Sequence, residues 1–172
     1  MARAANRSWE RITKRDLGRL SRIAEADHDD FFARNSHLRR YRKRVICVAL
    51  CQGAALHYVY PQDSNGIKDF DVWTFYSRWD EPFPPRRRGK RDFGESKFGR
   101  RPKDAKHFVG RRVDLMGRSL PVRPSADPVE TLLSYLIAPR TPSARHLRKK
   151  PVVILDPPEL RGAIVWPPAL AR

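Results

Sequence analysis

The chain has 172 residues, of which 40% are hydrophobic and 32% are charged, and its formal net charge at pH 7 is +17. This length suits one domain, and the hydrophobic content excludes a wholly disordered chain. The 36 lysines and arginines against 19 acids predict an acidic partner, and nucleic acid is favoured over a membrane surface because no stretch reads as a membrane span.

Two helical stretches precede the first strand. From Ile12 to Ala26 the apolar residues follow helical spacing, and Thr13 with Asp16 is a potential capping pair. A second helical stretch is predicted from Asp29 to Arg44, with a potential break at Asn35-Ser36. Its basic end is interpreted either as a solvated helix face or as a contact for phosphates.

A strand is predicted over the β-branched apolar run Val45 to Leu50. Cys47 and Cys51 have an even spacing, so both face the same side of that strand. No second cysteine pair or histidine cluster accompanies them, and we therefore expect two buried free thiols rather than a zinc site.

Two carboxylates open the next predicted strand, after a turn-rich loop from Pro61 to Gly66. Asp69 and Asp71 are separated by one residue, so they point the same way while Phe70 faces the other side. Neighbouring carboxylates repel each other. A bound divalent cation would remove that cost, and magnesium prefers such oxygen ligands.

Residues 79–107 are predicted to form a long, mobile, basic insertion. Prolines and glycines disfavour both helix and sheet there, and the run Arg86 to Arg91 is almost entirely basic. Three phenylalanines are interleaved with the charges, as expected where bases stack and phosphates pair. The alternative is a solvated loop that its phenylalanines attach to the core.

Regular alternation resumes after the insertion. Val113 and Leu115 face one side of a predicted strand and Asp114 faces the other. A helix is then predicted from Asp127, which can cap it together with Glu130. A basic connector and a short buried strand, Val152–Leu155, follow.

The central pattern resembles the nucleotidyltransferase superfamily of the polymerase-beta type. That family has a Gly-Gly or Gly-Ser pair after a strand, then a short helix and an Asp-x-Asp pair on the next strand. The matching residues here are Gly53-Ala54, Asp69 and Asp71, and Asp114 matches the third carboxylate of the family. Ala54 departs from the pattern because it lacks the hydroxyl of the usual serine.

The resemblance implies an α/β (α+β) fold with a short mixed sheet flanked by helices. It also implies an enzyme in which Asp69, Asp71 and Asp114 are catalytic and hold magnesium (Mg²⁺) or manganese (Mn²⁺). A nucleoside triphosphate would be bound by Gly53, by Ala54 and by Lys68. A nucleoside monophosphate would then be transferred to an acceptor, for which the basic charge favours RNA.

Three alternatives remain open at this stage. The same fold without catalysis could bind nucleic acid, a metal-dependent nuclease would also use paired carboxylates, and a purely structural basic protein would need no metal. In the first two, as in the leading hypothesis, the nucleic-acid contacts are Arg39, Arg40, Arg42, Lys43, Arg44, Arg86, Arg87, Arg88, Lys90, Arg91, Arg100 and Arg101.

The expected organisation is a basic N-terminal helical segment, residues 1–44, packed on a core of residues 45–172 that contains the insertion. The N-terminus lacks the apolar region of a secretory signal. The expected location is therefore the cytoplasm.

Overall fold

The computed structural model describes residues 10–83, 88–99 and 107–167. The helices are α1 (Lys14–Arg34), α2 (Gln52–Val59), α3 (Pro128–Ile137) and α4 (Pro142–Leu147). The strands are β1 (Val45–Cys51), β2 (Phe70–Ser77), β3 (Arg88–Asp92), β4 (Arg112–Leu120), β5 (Val152–Asp156) and β6 (Ile164–Trp166). Short 3₁₀ helices cover Ser36–Arg44, Pro61–Asp63 and Pro158–Leu160. Within the described ranges, none of the helices combines the length and apolar character that crossing a bilayer requires.

One six-stranded mixed sheet, in the order β3-β4-β2-β1-β5-β6, organises the fold. The predicted mixed α/β class is therefore confirmed. Leu50, Val72 and Val113 belong to the apolar cluster that packs against α1 and α2. On the other face, Cys51 and Phe75 belong to the cluster that packs against α3 and α4. Both cysteines are buried and free, as the sequence predicts.

The N-terminal helix is longer than the sequence predicts. The capping box of Thr13 and Asp16 is present, but α1 continues without a break to Arg34. The polar residues in the middle of α1 do not end the helix, because their side chains interact with other elements. Asp27 pairs with Arg91 at 3.1 Å, and Nε2 of His28 lies 2.9 Å from the Thr74 hydroxyl. The expected break at Asn35 is where α1 gives way to the 3₁₀ helix.

The prediction that residues 79–107 lack regular structure is wrong for part of that segment. Strand β3 lies within it and pairs antiparallel with β4, and the prolines all fall outside this strand. The phenylalanines are also not available for stacking on bases. Phe83 stacks on Tyr76 and Phe93 on Phe70, and with Phe98 all three are buried. The alternative, in which they attach the segment to the core, is confirmed.

Asp92 closes the base of this segment. Its carboxylate accepts hydrogen bonds from the backbone N–H groups of Gly94, Val109 and Gly110. Burial raises the pKa of Asp92, but these three hydrogen bonds outweigh that effect and hold the pKa below its ordinary value. These hydrogen bonds join the end of β3 to the residues that precede β4.

The C-terminal elements place α3 and α4 over the sheet. Asp127 caps α3 by accepting a hydrogen bond from the N–H of Glu130 at 2.9 Å, as predicted. Thr141 caps α4 through the N–H of Ala144 at 3.1 Å, so the predicted basic connector contains a helix. Strand β6 is only three residues long and was not predicted.

Candidate functional site

A cleft of about 650 Å³ opens where β1 ends and β2 begins. The two strands are antiparallel, and Cys51 at the end of β1 pairs with Asp71 at the start of β2. The cleft is lined by Gln52, Gly53, Leu56, Asp63, Ser64, Asn65, Gly66, Ile67, Lys68, Asp69, Asp71, Arg111, His146 and Lys150. The structure therefore brings Gly53, Lys68, Asp69 and Asp71 together, although 15 to 18 positions separate the carboxylates and Lys68 from Gly53.

The third predicted carboxylate lies beside the second. Strands β2 and β4 are parallel, and Asp71 pairs directly with Asp114. Partners in register on neighbouring strands point to the same face of a sheet, which here is the face that carries α3 and α4. Asp114 is only 1% exposed, whereas Asp71 reaches the cleft.

The environment of Cys51 reflects the position of Asp71. Burial raises the pKa of the Cys51 thiol well above its ordinary value, and the negative charge of Asp71 raises it further. This thiol therefore stays protonated and belongs to the apolar floor beneath the carboxylates.

Arg112 joins two of the carboxylates. Its Nη2 donates to Oδ2 of Asp69 at 2.7 Å, and its Nε lies 3.3 Å from Oδ2 of Asp114. The Arg112 side chain is 23% exposed, so the guanidinium is held in a largely desolvated position between the carboxylates. This cation offsets the like-charge repulsion that three neighbouring carboxylates would otherwise produce.

The donor types fit a divalent metal, but the side chains are not arranged around one. Asp69 and Asp71 present carboxylate oxygens to the cleft, and these are the ligands that magnesium prefers. Among the described residues, however, no three histidine, cysteine, aspartate or glutamate side chains are grouped so that they could hold a metal ion. Arg112 lies where a shared metal would meet both Asp69 and Asp114.

The start of α2 faces the same cleft. Cys51 occupies the N-cap without a side-chain hydrogen bond, and the first turn contains no acidic residue. Gln52 has a φ of 58°, a left-handed conformation that costs a non-glycine residue on the order of 1 kcal/mol. The first N–H groups of α2 therefore remain available for hydrogen bonds to an anion.

Gly53 has no structural reason to be glycine. Its φ is not positive, and a Cβ built on it would meet no atom within 4 Å. The space beside it is open and belongs to the cleft. By contrast, the Ala54 side chain is buried in the core beneath α2, so its methyl group does not line the cleft.

Several residues that line the cleft, and Arg112 beside it, were not predicted as site residues from the sequence. Arg111 and Arg112 directly precede Val113-Asp114, and a basic pair next to a candidate metal ligand is a signal that could have identified them. His146 and Lys150 come from α4 and the turn after it, and no local pattern marks them. The Gln52 side chain donates to the carbonyl of His146 at 3.4 Å and so links α2 to α4.

His57 has a structural role. Its side chain is 1% exposed, and its Nδ1 lies 3.0 Å from the Ser64 hydroxyl. Its Nε2 lies 2.7 Å from the backbone carbonyl of Glu10. His57 thus connects α2 to the loop beneath the cleft and does not line it.

The predicted nucleic-acid contacts divide into exposed and engaged residues. Arg42 pairs with Asp29, Arg44 donates to the Ser77 carbonyl and hydroxyl, and Arg91 pairs with Asp27 and Asp30. These three stabilise the fold. The exposed residues are Arg39, Arg40, Lys43 and Lys90. Arg86, Arg87, Arg100 and Arg101 lie outside the described residues, as does the side chain of Arg88.

The chain was compared with known proteins in three ways. No family model matches it, and neither a curated protein nor a solved structure shows significant similarity.

Arg112→Gln tests whether a metal can replace the guanidinium. The substitution removes one partner of a buried ion pair with Asp114, so we expect the free energy of unfolding to fall by roughly 3 kcal/mol. At a Mg²⁺ concentration ten times its dissociation constant, we predict that the free energy of unfolding of this variant rises by about 1.4 kcal/mol. The rise is measured as a shift of the denaturant midpoint. The control is Arg42→Gln, which removes an exposed pair and should cost less than about 1 kcal/mol. A midpoint of the Arg112 variant that does not respond to Mg²⁺ or Mn²⁺ would count against a metal site.

Proposed function

We propose that the cleft is the active site of a metal-dependent nucleotidyltransferase. The observation that carries this proposal is the in-register pairing of Asp71 with Asp114, with Asp69 on the same side and the start of α2 opposite. Carboxylates and helix N–H groups that face one cleft suit a metal-bound polyphosphate. A nucleoside triphosphate is the corresponding substrate.

Each part of the cleft has a role in the transfer. Asp69 and Asp71 would hold Mg²⁺ or Mn²⁺, which supplies charge stabilisation at the phosphates when bound. The N–H groups at Gly53 and Ala54 would hydrogen-bond phosphate oxygens, and Lys68 would neutralise phosphate charge. The acceptor hydroxyl would attack the α-phosphorus and release its proton to solvent, the bond to pyrophosphate would break, and pyrophosphate would leave. Asp114 is buried and does not line the cleft, so the role at the acceptor hydroxyl that the family resemblance implies would require its exposure.

Arg112 would act as a replaceable counter-ion in this scheme. Without a metal its guanidinium pairs with Asp69 and Asp114. A divalent cation carries twice its charge and can compete for the same oxygens. Release of Arg112 would free Asp114 for its role and leave the guanidinium close to the phosphates.

The second candidate function is nucleic-acid binding without catalysis. The same Arg112 pairs favour it, since a site that keeps its carboxylates neutralised has less need of a metal. Ala54, which lacks the serine hydroxyl of the nucleotidyltransferase pattern, favours it as well. The open space beside Gly53 argues for the enzyme, because a nucleic-acid contact elsewhere on the surface would not require it.

RNA is the acceptor that we propose. Trp79 is 40% exposed, and the guanidinium carbons of Arg44 and Arg40 lie 4.4 Å and 5.7 Å from its ring centroid. Arg39 and Lys43 are exposed on the same 3₁₀ helix as Arg40. An exposed aromatic ring among cations suits stacked bases and phosphates of a single strand.

Transfer should depend on the carboxylates of the cleft. With Mg²⁺ or Mn²⁺, labelled nucleoside triphosphates and total cellular RNA, the protein should transfer label to an acceptor. Asp69→Asn and Asp71→Asn should each lower transfer at least about 100-fold, because each removes a formal charge from the metal site. The control is Asp80→Asn, which removes an exposed carboxylate outside the cleft. Unchanged transfer in both cleft variants would refute the catalytic assignment, whereas RNA binding without any labelled product would favour the second candidate.

Gly53→Ala separates ligand binding from stability. Alanine is more favourable than glycine within a helix by about 0.5–1 kcal/mol, so the variant should be at least as stable as the parent protein. The added methyl group would enter the cleft, and we expect triphosphate affinity to fall about tenfold or more. Gly18→Ala in α1 is the matched control, since its Cβ would meet its nearest atom at 3.4 Å and lies outside the cleft. Equal triphosphate affinity in the two alanine variants would contradict the phosphate role of Gly53.

The exposed cations Arg39, Arg40 and Lys43 predict how RNA affinity depends on salt concentration. RNA affinity should fall with salt with a log–log slope of about −0.7 per phosphate contact. Replacing Arg39, Arg40 and Lys43 together with glutamine should make this slope less steep by about 2. Replacing Arg145, Arg123 and Lys149, which are exposed elsewhere, is the charge-matched control. The same slope in both triple variants would assign RNA binding to another surface.

A further inference from the structure

A second cavity, of about 510 Å³, lies at the opposite end of β4. Its volume is within the range of small-molecule sites. Leu120, Pro121, Val122 and Ala138 give it apolar walls, and Arg78, Arg118 and Arg140 contribute cations. No aspartate or glutamate is among the described residues that line it.

Arg118 is the central cation of this cavity. Its Nη1 donates to the Ser143 hydroxyl at 3.1 Å, and its guanidinium carbon lies 5.7 Å from the Tyr135 ring centroid. Its Nε is buried and has no hydrogen-bond partner within the described ranges, and no carboxylate there forms a salt bridge with Arg118. A partly desolvated guanidinium without an anionic partner is costly. An anion in the cavity would offset this cost.

The other polar groups are held in place by the fold. The Arg78 backbone N–H donates to the Leu120 carbonyl at 2.8 Å, and its carbonyl accepts from Arg44 at 2.9 Å. The Tyr135 and Thr141 hydroxyls lie 3.1 Å apart at the end of α3. The cavity therefore has a fixed polar side next to its apolar walls.

We propose that this cavity binds an organic anion with an apolar body and an anionic group directed at Arg118. The apolar walls would hold the body, and Arg78 and Arg140 would complete the positive environment. Asp114 and Arg118 are four residues apart on β4, which corresponds to about 13 Å along the strand. The site is thus separate from the carboxylate cleft, and the proposal does not depend on nucleotidyl transfer.

The probe is 1-anilinonaphthalene-8-sulfonate, which combines a flat apolar body with one anionic group. Titrations followed by its fluorescence and by its heat of binding should both give one site per chain. The near-ultraviolet circular dichroism spectrum of the protein should stay unchanged, because a loosely packed state that binds the probe would lose that spectrum. Arg118→Gln should weaken binding about tenfold, as expected for the loss of one charge-assisted hydrogen bond. Arg140→Gln, at an exposed position, should weaken binding in the same direction without risk to folding.

Two controls separate this site from general charge effects. Arg123→Gln removes an exposed cation that does not line the cavity and should leave affinity unchanged. N-phenyl-1-naphthylamine, the uncharged analogue, should bind more weakly and should not respond to Arg118→Gln. Displacement of the probe by adenosine monophosphate would indicate that the natural ligand carries a phosphate. Displacement by indole-3-acetate would indicate that it carries a carboxylate. Equal binding to the Arg118 and Arg123 variants, or displacement by neither competitor, would overturn the proposal.

Discussion

The parallel pairing of β2 with β4 is the constraint on which the candidate site depends. Val113 and Leu115 must face the core beneath α1 and α2, and this requirement fixes the register of β4. The same register places Asp114 beside Asp71 on the opposite face. A slip of one residue would turn Asp114 into the apolar layer, where an unpaired carboxylate costs several kcal/mol. Hydrophobic packing on one face thus positions the carboxylates on the other.

Arg112 makes this arrangement tolerable in the absence of a metal. A carboxylate as buried as that of Asp114 requires a partner, and the guanidinium also reaches Asp69. The bridge links the residue before β2 to the start of β4, so it stabilises the ends of both strands at the cleft. The interaction that stabilises the fold is therefore the one that a metal would have to replace.

The sequence predicted the parts of the site that follow from strand alternation. The alternation of side chains along a strand predicts the orientation of Asp69, Asp71 and Asp114. Local hydrogen bonding predicts the capping residues of α1 and α3. The position of Asp114 beside Asp71 depends on the pairing of β4 with β2 and on its register, which a local pattern does not encode. The role of Arg112 was missed for the same reason.

The errors in the segment after β2 have a different physical cause. Prolines and arginines there favour a solvated loop. The free energy gained by burying Phe83, Phe93 and Phe98 exceeds the conformational entropy that the segment would keep as a free loop. A long-range aromatic contact such as Phe93 on Phe70 is visible only once the sheet is assembled. Strand β3 forms because these anchors hold the segment against the exposed edge of β4.

The charges of the cleft bear on which ligand it suits. Asp63, Asp69 and Asp71 are matched by Lys68, Arg111 and Lys150, so the ionisable lining is formally neutral apart from His146. A neutral lining gives little attraction for bare RNA, which the exposed arginines outside the cleft attract better. A triphosphate with its metal would be a different ligand under the proposal, because its cation would interact with the carboxylates while its oxygens would interact with the lysines and the start of α2. The mixed charge of the cleft lining and the exposed cations on the 3₁₀ helix Ser36–Arg44 are therefore the basis for proposing different binding places for a triphosphate and for an acceptor strand.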